Sequence, residues 1–176
     1  RTGDWSAALA TYREAARLAP DARSLQFEYG KTAAAMRQPE EARAALAAAG
    51  VAEAQAAEAL FADASQAQAR EDGAGLEAAL RGILTLHPND ERARVALIRT
   101  LIQSARFAEA AAELELARQA GLDAGVLAAH EVLLAATRGD AASEALWRAR
   151  LTPSAANDPR VVATLAMVPV APRATP

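Results

Sequence analysis

The sequence returns on itself. "GDWSAALATYREAARLAP", residues 3–20, can be written above "EDGAGLEAALRGILTLHP", residues 71–88, so that Pro20 meets Pro88. Asp4 then meets Asp72, Ala8 meets Leu76, Tyr12 meets Leu80, Ala15 meets Ile83 and Leu18 meets Leu86. The offset is 68 residues, twice 34; an offset of 34 carries Ala8 to Ala42, 102 carries it to Ala110, and 136 carries Gly3 to Gly139. A fixed period of this length arises when one supersecondary unit cannot bury its apolar face alone and stacks on copies of itself. Each unit reads as helix, turn, helix, and no stretch carries the alternation of a strand.

Alanine supplies about 50 residues, and it is both the best helix former and the least bulky core residue. With aromatics at only 4%, the core must come from helices packed close together. The expected helices run over 4–18, 22–37, 39–49, 53–71, 74–86, 90–104, 106–119, 124–138, 141–151 and 158–167. Pro39 and Glu40 suit a first turn, and Gly50 and Gly121 suit helix stops. In "HPND", Asn89 or Asp90 is placed to cap the following helix. One repeat domain is expected over 1–168, with the proline-rich 169–176 extended or disordered.

Composition excludes several partners and chemistries. The net charge is −3 and Lys31 is the only lysine, so there is no basic footprint for nucleic acid. There is no cysteine for a disulfide or thiolate site, and no apolar run reaches the roughly 18 residues of a membrane helix. His87 reads as a residue at a helix end, suited to the negative pole of the dipole. His130 reads as a solvated or core-edge histidine, since the adjacent Glu131 points elsewhere on the helix. Glu40 and Glu41, Glu113 and Glu115, and Asp90 read as first-turn or solvent-face charges, and "DGAGLE" lacks the lysine of a phosphate loop. No catalytic residue, cofactor or metal is expected, and the chain is not read as an enzyme.

The 34-residue helix-turn-helix period, the spaced sets Trp5, Ala8, Tyr12 and Phe107, Ala110, Leu114, and the closing Pro20 and Pro88 resemble the tetratricopeptide family. The resemblance implies an all-α, right-handed superhelical solenoid of four to five helix hairpins, the first incomplete and the last, around Ala142 to Leu151, only loosely matched. It also implies a protein-binding concave face lined by first helices. By that likeness the groove positions are Phe27, Lys31 and Ala34, then Phe61, Ser65 and Gln68, then Arg92, Val95, Arg99 and Ile102; Phe27 and Val95 serve equally well as core. The family's carboxylate-clamp pattern is missing its asparagines here.

A narrower resemblance joins "ARLAP", the short unit ending near Gly50, the run from Pro88 to Gly121 and "GDAASEALWRARL" to the helical C-terminal half of bacterial chaperedoxins. It implies a cytoplasmic holdase region whose partners are a chaperonin, an unfolding client or an upstream thioredoxin-like domain. The alternative is a scaffold of a bacterial envelope or secretion assembly. Because residues 1–5 match the turn inside a unit, Trp5, Leu9 and Tyr12 are expected to lack the helix that covers them, and the chain is expected to be cut from a longer protein. Oligomeric state is left open.

Overall fold

Four residues spaced by 34 set the architecture. Arg37, Glu71, Ala105 and Gly139 hold φ of 58°, 56°, 57° and 73°. Each ends one helix and hands the chain to the next, because a left-handed residue turns the following amide back toward the helix just completed. The amides of Gln38, Asp72, Arg106 and Asp140 accordingly donate to the carbonyls of Ala33, Ala67, Leu101 and Ala135, each at 2.9 Å. Between units, Gly50 and Gly121 make the same stop at φ 71° and 78°. Both glycines were legible as stops; Arg37, Glu71 and Ala105 were not, since no glycine marks them.

The computed structural model describes residues 5–169. Among them the chain is all-α, with eleven helices and no strand. In order these are α1 Trp5–Leu18, α2 Arg23–Ala35, α3 Pro39–Ala49, α4 Glu53–Ala69, α5 Gly73–Leu86, α6 Glu91–Gln103, α7 Phe107–Gln119, α8 Ala124–Thr137, α9 Ala141–Ala149, α10 Pro153–Ala156 and α11 Pro159–Leu165. Ten match the expected segments to within two residues at nearly every end. Gly3 and Asp4, and all of the expected tail beyond Pro169, lie outside the described residues. The chain divides into two compact units, 1–97 and 98–176, with the division inside α6.

In the first unit, small residues let backbones approach. A β-carbon on buried Gly30 of α2 would sit 2.8 Å from Leu46 Cγ and 3.3 Å from the Ala42 carbonyl of α3. Ala33, Ala34 and Ala42 have no exposure, so α2 and α3 meet without a gap. Gly82 of α5 plays the same part, with Leu60 Cδ1 of α4 at 3.1 Å and the Ala35 amide of α2 at 3.3 Å from where its β-carbon would lie. The broader packing between the two hairpins is therefore α2 on α5, while α2 meets α4 mainly at an ion pair.

Helix α1 lies on α2 and is not left bare. Leu9 is only 4% exposed, which corrects the expectation of an uncovered stripe; Trp5 and Tyr12 are half-buried. Arg13 of α1 clamps Glu41 of α3 through Nε to Oε1 at 2.6 Å and Nη2 to Oε2 at 2.9 Å, and the Tyr29 hydroxyl of α2 donates to the same carboxylate. The bonded guanidinium holds the Glu41 carboxyl below its ordinary range, while burial and Glu41 push the Tyr29 phenol up.

The second unit is built around α8, on which α7, α9 and α11 pack. Residues Val126 to His130 and Val132 to Ala135 are all buried. Short α10 was not expected, because four residues, "PSAA", carry no period; Thr152 caps it by accepting from the Ala155 amide at 3.1 Å. Its Ala155 presses on α8 at Gly125, where a β-carbon would lie 2.5 Å from the alanine's own.

Two substitutions test these contacts. Ala105→Gly should raise stability by about 0.5–1 kcal/mol, because relief of the left-handed penalty exceeds the added freedom of the unfolded chain; an unchanged or lower urea midpoint would contradict the strain at that turn. Gly30→Val should lower stability by about 1–3 kcal/mol by overpacking the α2–α3 seam, read as a fall in the same midpoint.

Candidate functional site

One cleft in the first unit combines depth, aromatic surface and charge. It has a volume of 360 Å³ and lies between α1 on one side and α2, α4 and the start of α5 on the other. Trp5 and Tyr12 are seven positions apart, two helical turns, so both rings fall on the same face of α1, with Ala8 between them. The rest of the lining is Leu60 and small residues, Thr32, Ala35, Ala67, Gly75 and Ala79. Such a surface admits a large apolar side chain of a ligand because its own side chains fill so little of the space.

Charge is concentrated at the rim. Lys31 of α2 reaches Asp63 Oδ2 of α4 at 2.9 Å and Glu28 Oε1 at 3.2 Å. The lysine side chain is 12% exposed and the two acids are each 46% exposed, so the cation is enclosed while the carboxylates keep open faces. Burial works against the ammonium, but Asp63 and Glu28 outweigh it and the pKa is raised. The Lys31 ammonium also lies 5.2 Å from the centre of the Phe27 ring. Toward the other end of α4 stand Gln66 and the exposed Arg70.

The expected groove residues are dispersed. Lys31 alone among them lines the cleft. Phe27 and Val95 are half-buried. Phe61 is half-buried under Arg92, whose guanidinium carbon is 4.2 Å from the ring centre. Arg99 belongs to the second unit, beside His130. Ala34 at 0% and Ile102 at 2% exposure are core and not groove positions, since the face that carries them is the one closed by packing. Ser65 and Gln68 are exposed. Glu28, Asp63, Gln66 and Arg70 were missed; the only sequence signal was that Asp63, Gln66 and Arg70 recur at helical spacing along α4 and its capping residue. Trp5 and Tyr12 were noticed, but as a stripe awaiting cover.

The groups weighed for chemistry have structural duties. Asp90 caps α6 by accepting from the Ala93 amide at 2.8 Å, Glu40 pairs with Arg43 at 3.2 Å, and Glu115 with Arg118. His87 is the capping residue at the end of α5, its amide donating to Ile83 at 2.7 Å. His130 departs from expectation: at 1% exposure it is core, not core-edge, with Nδ1 bonded to the Val126 carbonyl at 2.8 Å and Nε2 buried without a partner. Among the described residues no three His, Asp or Glu side chains gather to hold a metal ion, and no single helix is long and apolar enough to cross a membrane. Comparison with protein-family models, curated proteins and solved structures returned no significant match to this chain.

His130 gives a pH test. Burial, reinforced by the Arg99 charge and opposed by the Val126 carbonyl, lowers its pKa below the ordinary 6.5, so the folded ring is neutral where an unfolded histidine is already protonated. The unfolded chain then binds more protons, so stability is complete above pH 6.5 and declines below it. The decline should be at most about 1.4 kcal/mol per pH unit. Urea midpoints measured from about pH 7 to about pH 5 should fall, and His130→Leu should flatten the fall; equal slopes in both proteins would show that another group governs it.

Proposed function

We propose that the chain is a noncatalytic protein-binding module of tetratricopeptide type, which takes a peptide segment of its partner in the cleft between α1 and α4. The cleft carries this reading: two aromatic side chains line it together with mostly small residues, and aromatic anchors at a pocket are where binding energy concentrates. The repeat reading is supported by the left-handed turns at Arg37, Glu71, Ala105 and Gly139, which recur at the 34-residue spacing seen in the sequence. Stacking of such hairpins into a right-handed superhelical solenoid belongs to the same proposal.

The finer reading follows the likeness to the C-terminal half of chaperedoxins. In it the partner is an unfolding client or a chaperonin and the compartment is the cytoplasm. An apolar cleft suits that role, because unfolding clients expose apolar surface. The first unit engages the segment with Trp5 and Tyr12, and the enclosed Lys31 keeps Glu28 and Asp63 in place at the rim.

The expected result is that the full chain suppresses light scattering of a chemically denatured client on dilution and retains purified chaperonin on a column. Tyr12→Ala, checked for unchanged helicity, should weaken client protection by at least about tenfold. Full protection by Tyr12→Ala would remove the cleft from the function. Absence of both protection and chaperonin binding would sink the holdase reading in favour of a scaffold.

A further inference from the structure

The charges on the cleft rim are ordered along one helix. Asp63 of α4 and Arg70, the capping residue just past its C-terminal end, lie seven residues apart, about 10 Å along the axis, and both line the cleft. At the Asp63 end two carboxylates face one lysine, leaving a net charge of −1. Each carboxylate is 46% exposed and has lone pairs left for a second cation. At the far end Arg70 is exposed and its side chain forms no ion pair among the described residues. The neighbouring Asp72 is turned onto the Gly75 amide at 2.9 Å, capping α5, so it does not answer Arg70. Trp5 and Tyr12 of α1 line the same cleft.

We infer that the cleft selects an amphipathic helical segment with a fixed charge order: a basic residue seated against Glu28 and Asp63, an apolar side chain among Trp5, Tyr12 and the small lining residues, and an acidic residue two turns away against Arg70. This rests on the peptide-binding reading above and adds polarity to it. Two turns is the spacing that matters, because a helix lying along α4 has the same rise and brings its positions i and i+7 opposite Asp63 and Arg70. A segment with two basic residues meets Arg70, and one with two acidic residues meets Glu28 and Asp63. Each mismatch sets like charges together in a partly dry groove.

The test uses three fluorescein-labelled alanine–leucine helical peptides that differ only at two positions seven apart, carrying Arg and Glu, Arg and Arg, or Glu and Glu. Reversal of a peptide in the groove cannot mimic these differences. Titrated with the full chain, the Arg–Glu peptide should bind about fivefold tighter than either of the others. With Arg70→Glu, an exposed change that leaves the core untouched, the Arg–Arg peptide should become the tightest. Equal binding of all three that is lost in Tyr12→Ala would overturn the charge order and leave the peptide site standing. An unchanged ranking in Arg70→Glu would overturn the role of Arg70. If none of the peptides binds, the peptide site falls and the charge order with it.

Discussion

A left-handed residue at the tip of each hairpin is the constraint on which this architecture depends. It stops a helix within one residue, returns the next amide to a carbonyl five positions back, and so fixes the direction in which the second helix leaves. Everything the hairpins bury depends on that departure angle. If α3 left α2 at another angle, Gly30 would not lie under Leu46, and the close seam that alanine permits would open. Three of the four positions carry arginine, glutamate or alanine, so the chain holds a costly conformation where glycine would hold it freely. The repeated tertiary context outweighs the local preference.

The helices were legible because alanine-rich apolar periodicity and proline or glycine punctuation act over short range. Pro39 opens α3 and Gly50 closes it, and both ends fall where those residues place them. The turn at Ala105 was invisible, since nothing in an alanine announces positive φ; only its distance of 34 residues from Glu71 and from Gly139 betrays it. Burial of His130 was equally hidden. Its neighbours on α8 are apolar on nearly every side, and a helix hydrophobic all round is one that is enclosed, a signal outweighed by the polar character of the histidine itself.

The candidate site was legible only in part, for a topological reason. A regular stack would line a groove with first helices, and the expected residues follow that rule. In the first unit Gly82 lets α5 pack on α2, and the cleft lies between α1 and α4. Lys31 belongs to both arrangements because it projects from α2 toward α4. Asp63 and Arg70 belong only to the observed one, and no local pattern in α4 distinguishes a rim residue from a solvated one. Long-range packing decides it, and the 34-residue repeat does not encode that packing.

The pairing of Lys31 has a chemical consequence beyond recognition. It bears the only ε-amine in the sequence, and that amine is tied between two carboxylates on a side chain with 12% exposure. A raised pKa keeps it protonated, and a protonated amine is no nucleophile. Amine-directed acyl donors, aldehydes and cross-linkers therefore meet in Lys31 an amine shielded by its two carboxylates, slower to react than an open lysine.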